Sequence, residues 1–330
     1  MTTTMTGTAQ RSRPARRMPA RVPSLSGVLS GLRASGWRLG RPGQPAPTRP
    51  PTPTESAVSV ASTAFTMVAL VCLWTVAQLL FLGNLSHERA QSLLYGEFRT
   101  ELASATAPIG PIVPVGDPVA LLTIPSLGLQ EVVTEGTASG DTLDGPGHRR
   151  DTPLPGQEGI SVVYGRAATY GGPFGRLSEL QPGDPISVVD AQGRITFHVL
   201  SVRRTGDPLP QPLAAGKARL TLVTAEGTGR YSAIAPNAVI YVDADAKKSF
   251  PAPPGRPLAV PEPERPMATD TGAMPLLALF LALLVALTLG VVAARQKWSG
   301  PLVWVVAAPL AIALSWATTD AVMRLLPNVI

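Results

Sequence analysis

Ile160-Ser-Val-Val-Tyr-Gly-Arg-Ala-Ala-Thr-Tyr-Gly-Gly-Pro-Phe-Gly-Arg-Leu177 is the stretch whose reading decides the fold. A short β-branched run stops at Tyr164, and glycines and a proline then crowd the chain into turns. Such a switch from strand to turn-rich loop sets side chains at the mouth of a β-domain. A second run, Leu220-Thr-Leu-Val-Thr-Ala225, has the texture of a partner strand. Between Val119 and Ala244 the same grammar repeats. Strands are predicted near 119–124, 128–133, 160–164, 185–190, 194–203, 218–224 and 238–243, and the turn Asp190-Ala-Gln-Gly193 joins two of them. Strands spaced in this way close, or nearly close, into a barrel. A domain of this length buries a core without disulfides.

On either side the composition changes. Residues 1–60 hold nine arginines and one acid, Glu55, giving +8, which leaves −2 for the rest of a chain whose formal charge is +6. The basic character therefore belongs to a tail rich in Pro, Arg, Ser and Thr, and the folded part is no basic platform for nucleic acid. The tail is expected to be disordered and cytoplasmic. Residues 61–83 form an apolar run, read as a first membrane span and an uncleaved anchor. Residues 84–118 are expected as a helix and a proline-broken linker. Ser86 would cap the helix, and Ala90, Leu94, Phe98 and Leu102 form its apolar face. The barrel takes 119–246 and a proline-rich linker takes 247–272. Two more spans follow, 273–294 and 301–319, joined by a cytoplasmic loop at 295–300 that carries Arg295 and Lys297, with an external tail at 320–330. Positive loops stay inside, so the β-domain is expected outside a cell membrane crossed several times. Ala307, Ala308, Ala311 and Ala313 would let the last span pack closely on its neighbour or on a membrane partner.

Several chemistries are excluded. The single cysteine, Cys72, sits in the first apolar run, so no intrachain disulfide forms. His87, His148 and His198 are too scattered for a zinc spacing. No cofactor and no metal are expected. Glu158 and Glu226 are two carboxylates that could border a groove, but nothing in the sequence sets them at a glycosidase separation.

Six short pieces in order carry a family resemblance. Leu122-Thr-Ile-Pro-Ser-Leu-Gly-Leu129 is followed by Gly145-Pro-Gly-His148, Thr152-Pro-Leu-Pro-Gly156 and Gly171-Gly-Pro-Phe174. Then come Leu177, Leu180 and Gly183-Asp184, and finally Leu220-Thr-Leu-Val-Thr224. Over about Leu121 to Ala244 the chain resembles a sortase, most closely the class D and E enzymes of Gram-positive bacteria. The abundance of Arg, Ala, Pro and Gly fits an actinobacterial source. The resemblance implies a mainly β fold: a sortase-like closed β-barrel outside the membrane, with one N-terminal and two C-terminal transmembrane helices.

Sortases cleave a secreted protein at a sorting signal, hold the acyl group on a cysteine and pass it to an amine. The chemistry needs a thiolate, a histidine partner and an arginine at the developing charge. Where the family carries Gly-His-Arg, this chain has Gly165-Arg166-Ala167; where it carries Thr-Cys, this chain has Thr224-Ala225. The family arginine before the last strand finds no counterpart at 235–239, and Arg230 lies several residues early. The resemblance thus implies a catalytically degenerate member, with no catalytic residues at positions 166 and 225. Candidate groove-lining residues are Tyr164, Arg166, His148, Thr224, Ala225, Glu226 and Arg230. The expected role is an adaptor or assembly subunit at the cell surface that binds a secreted or membrane protein, through a sorting-signal-like peptide or through other membrane subunits. Two alternatives stand beside it: an active transpeptidase or peptidase with unconventional or partner-supplied groups, and a purely structural spacer.

Overall fold

The structure is a computed structural model that describes residues 53–78, 82–227, 238–295 and 297–330. The expected disorder of residues 1–52 and the position of Arg230 lie outside the described residues.

Eight strands close the barrel: β1 (Pro118–Ile124), β2 (Leu129–Glu135), β3 (Gly147–His148), β4 (Gly159–Tyr164), β5 (Pro185–Asp190), β6 (Gly193–Arg204), β7 (Ala218–Glu226) and β8 (Ala238–Ala246). Their order around it is β1-β2-β3-β4-β7-β8-β6-β5. Two of its pairings are parallel, β2 with β3 and β4 with β7. The β4–β7 pair sets Tyr164 beside Val223, so the ends of the two diagnostic stretches lie side by side. Closure leaves no exposed sheet edge. Alternate residues of each strand face inward, so Val163 of β4 joins Leu220 and Leu222 of β7 in a core with Phe174, Leu177, Ile186, Phe197 and Val242. The Asp190–Gly193 turn is tied by Asp190 Oδ1, which accepts from the main-chain N–H of Gln192 at 2.8 Å and of Gly193 at 2.9 Å.

β3 was not predicted. Two residues carry no alternation, and its pairing with β2 is non-local. The strand is so short that a side chain extends the ladder: Gln91 Oε1 accepts from Val132 N at 2.7 Å and Gln91 Nε2 donates to Asp144 O at 2.8 Å. A Cβ at the neighbouring Gly145 would lie 2.9 Å from the main-chain oxygen of Val132 and would displace the Gln91 amide, so glycine keeps this ladder intact.

Gln91 belongs to α2 (Gly83–Ser104), which follows α1 (Pro53–Ala77). Phe98 of α2 is buried, with Ala90, Leu94 and Leu102 partly so. The predicted cap is not used. Leu82 occupies the N-cap with helical φ −77° and ψ −29° and makes no side-chain cap, so Ser86 falls inside the first turn. α1 begins earlier than expected, at Pro53, where a missing N–H costs nothing. Its apolar part spans Ala64–Trp74, and the continuation through 79–81 lies outside the described residues.

Two C-terminal helices, α3 (Met274–Arg295) and α4 (Gly300–Arg324), are long and apolar enough to cross a membrane. They pack on each other and on α1: Met67, Val291, Val303 and Ala307 are buried together, with Ala311 beside them. The Trp74 and Trp316 rings lie 6.1 Å apart. Small side chains at 307 and 311 permit the close approach. α4 remains helical to Arg324, five residues past the predicted end of its span. Its last turn returns to the chain just before α3, where Asp270 N donates to Arg324 O at 3.1 Å.

Candidate functional site

The outward faces of β4 and β7 form the floor of a groove. Ile160, Val162 and Tyr164 alternate with inward residues on β4, and Arg219, Thr221 and Val223 do so on β7. The loop 209–213 and the side chains of Arg203, Tyr241 and Pro266 wall a cavity of about 350 Å³. The charges in it are paired. Asp243 accepts from Arg203 Nε at 2.5 Å and from Thr221 Oγ1 at 2.7 Å, while Asp245 accepts from Arg219 Nε at 2.6 Å. Arg203 also stacks its guanidinium 4.3 Å from the Tyr241 ring centroid.

Tyr164 lies at the inner end of this floor. Its side chain is wholly buried, and among the described residues its hydroxyl meets hydrogen-bond geometry with none, Arg149 being the nearby donor group. Burial pushes its pKa up to about 12, so it stays a neutral donor. A buried hydroxyl without a partner costs stability.

Beyond Tyr164 lie the two positions singled out in the sequence. Ala225 is buried, and its side chain is a methyl group beside Tyr164 and Val223. Arg166 is wholly buried. Its Nε donates to Thr142 O at 3.2 Å. Its Nη1 donates to Thr169 Oγ1 at 2.9 Å. Its Nη2 donates to Ser139 O at 2.7 Å and to Ser139 Oγ at 3.0 Å. The Tyr170 ring lies 5.9 Å from the guanidinium carbon. No carboxylate pairs with it among the described residues, and burial lowers its pKa to about 10. Phe174 fixes the loop below: a Cβ on Gly165 would lie 2.4 Å from its ring.

The other candidates are dispersed. His148 is buried, with Nδ1 2.7 Å from Glu135 Oε2 and Nε2 2.9 Å from Pro153 O, so both ring nitrogens are engaged away from Ala225. Thr224 faces the opposite side of β7 from Ala225 and donates to Gly165 O at 2.9 Å. Glu226 pairs with Arg204, whose charge holds its carboxyl below the usual range. Glu158 accepts from Gly216 N at 2.7 Å, and His198 is exposed on β6. The two carboxylates therefore serve different partners.

Sequence reasoning missed the last residues of the described chain. Val329 and Ile330 are buried against Tyr164, Val223, Ala225 and Val239. Nothing in the sequence joins position 329 to position 225; only two adjacent apolar residues after a proline hint at burial.

Residues 122–244 match the family model of the sortase domain. Sortase D of Bacillus subtilis (strain 168) is 28% identical over 88 residues, which is 27% of this chain and 43% of that protein, so the match spans less than half of the relative's length. Among solved structures, sortase E from Streptomyces avermitilis is 28% identical, covering 46% of this chain and 100% of that chain with a TM-score of 0.34. The Clostridium perfringens Sortase D5 transpeptidase is 19% identical, covering 49% and 98%, with a TM-score of 0.38.

Proposed function

Residues 122–244 match the family model of the sortase domain, and we propose that this protein is a membrane-anchored, non-catalytic member of that family, binding a peptide or protein as an adaptor or assembly subunit at the cell surface. The observation that carries the reading is the pair Arg166 and Ala225. A methyl group at 225 has no atom that can attack a carbonyl. Removing the nucleophile of a serine protease costs on the order of a millionfold in kcat. At 166 a guanidinium with a pKa of about 10 keeps its proton at neutral pH. A general base must give that proton up. Its donors are also turned onto Ser139, Thr142 and Thr169 rather than toward the groove.

The groove itself persists. A chain laid along β4 and β7 gains main-chain hydrogen bonds, with alternate side chains in pockets. The cavity of about 350 Å³ accommodates a few residues. The membrane arrangement fits this role. α3 leaves from the barrel and α4 returns to it, and the turn between them carries basic Arg295 and Lys297. By the positive-inside rule that turn is cytoplasmic and the barrel external.

A photo-reactive residue at the exposed Ile160, in membranes of the native host, tests the reading. The expected result is a crosslink to one secreted or membrane protein; no crosslink from 160 would count against the groove. Peptide-to-amine ligation by the intact protein, insensitive to thiol reagents, would overturn the non-catalytic assignment.

A further inference from the structure

Leu325-Leu-Pro-Asn-Val-Ile330 follows α4 and enters the far end of this groove. Asn328 is wholly buried. Its N–H donates to Ala268 O at 3.1 Å and its carbonyl accepts from Thr142 Oγ1 at 2.9 Å. Its side-chain Nδ2 donates to Thr137 O at 2.6 Å and to Arg265 O at 2.9 Å. The Val329 carbonyl accepts two main-chain N–H groups from opposite sides, Ala167 at 3.1 Å and Ala225 at 3.3 Å. The Ile330 carbonyl accepts from Thr169 Oγ1 at 2.7 Å and Thr169 N at 3.2 Å. The segment is turned rather than extended: Leu325 N and Leu326 N donate back to Val322 O and Met323 O, and Ile330 N closes a turn on Pro327 O at 3.2 Å. It is held as a turned peptide ligand would be held, through the Val329 and Ile330 carbonyls, with both side chains against the floor.

Among the described residues the Arg166 side chain hydrogen-bonds Ser139, Thr142 and Thr169 and none of these six, yet each residue it bonds grips them. Ser139 Oγ donates to Met323 O at 3.0 Å and to Leu326 O at 2.7 Å; Thr142 and Thr169 bond Asn328 and Ile330. Arg166 is thus a positioning residue that fixes the loop 139–142 and Thr169 in the geometry that receives the segment.

We propose that the groove end between Ala225 and Ala167–Thr169 is a peptide-binding site whose resident ligand is this chain's own Leu325–Ile330. A partner peptide occupies that end only by displacing it. The inference rests on the adaptor reading and names its ligand class. The ligand is a turn-forming peptide without charged side chains, whose β-branched residue presents its carbonyl to Ala225 N–H and is preceded by a carboxamide residue and a proline. Tethering gives the segment an effective concentration on the order of millimolar. A free peptide must overcome that occupancy, so its apparent affinity falls by the fraction of sites left open.

The test uses a fluorescent, N-acetylated and C-amidated Leu-Leu-Pro-Asn-Val-Ile peptide in detergent. Three proteins are titrated: the intact chain, a chain ending at Arg324, and the full-length Val329→Asp variant. Saturable binding to the shortened chain and to Val329→Asp, at least roughly tenfold tighter than to the intact chain, is the expected result. A peptide with alanine in place of its asparagine should bind more weakly. Equal binding to intact and shortened chains overturns the proposal. So does absence of binding to a shortened chain that still unfolds cooperatively. If neither variant folds, the segment is a fixed part of the core rather than a ligand, which also overturns it. Should peptide binding fail while the Ile160 crosslink persists, only the resident-ligand inference falls and the adaptor reading stands.

Discussion

Inside the barrel the largest wholly buried side chains are Phe174 and Phe197, gathered in one apolar cluster with leucines and isoleucines such as Leu122, Leu177 and Ile186. At the end of the groove the largest is Arg166, ringed by Ser139, Thr142, Thr169 and Tyr170. The two regions share β4 and its loop, yet they are held by different forces. Apolar packing is non-directional and tolerates exchange at constant volume. A buried polar network is directional, and each unmatched member costs stability. The barrel can thus persist through wide change in sequence, whereas the groove end holds together only while three distant segments of this chain keep their partners.

The sharpest way to separate the regions is by substitution. Phe174→Ala should cost about 3–5 kcal/mol in unfolding free energy, measured by denaturant titration of the detergent-solubilised chain. Arg166→Lys keeps the charge but loses the planar fork. It leaves acceptors on Ser139 and Thr142 without donors and should cost about 2 kcal/mol, with faster proteolysis after Arg324. If Arg166→Lys proved as costly as Phe174→Ala, the groove end would be part of the barrel's core rather than a region apart. Asn328→Ala removes the two donors to Thr137 O and Arg265 O and should cost about 1 kcal/mol, leaving the barrel's hydrogen-exchange protection unchanged.

Each region also carries a carboxyl whose pKa burial raises. Asp190 in the barrel turn and Asp141 in the loop 137–142 are both raised from 3.8 to about 6, chiefly by burial; Asp141 also feels Glu264, Arg150 and Arg324. A raised folded pKa means that the native state binds the proton more tightly than the unfolded chain. Stability therefore rises as pH falls from 7.5 through about 6, and the full gain is reached below the unfolded value. Asp190→Asn and Asp141→Asn should each flatten part of that rise in the unfolding midpoint; an unchanged slope would show that the carboxyls are solvated. The smallest effect belongs to neither region. Arg176 and Glu179 form an exposed pair, and Arg176→Ala should leave the midpoint unchanged within error.

Strand alternation, turn residues and spacing made seven strands, the closed barrel and the two C-terminal apolar helices legible without coordinates. These properties are local, and the burial of one face follows from period and composition alone. Two residues at β3 carry no period, and Ser86 was a sound cap for a helix that instead continues inward from Leu82. The substitutions at 166 and 225 were likewise legible as residues, but the direction of a guanidinium was not. A sequence read alone gave Arg166 to the groove as a charge, whereas its donors bind carbonyls of the loop 139–142.

Sequence by itself therefore determined a β-barrel flanked by apolar helices, and which residue types stand at the two telling positions. Tertiary structure alone decided that Val329 and Ile330 lie against the groove floor, that the Tyr164 hydroxyl is buried, and that Arg166 serves a loop rather than a ligand. The physical reason is sequence separation. Ala225 and Val329 meet across more than a hundred residues, and no local pattern encodes a main-chain hydrogen bond between segments so far apart.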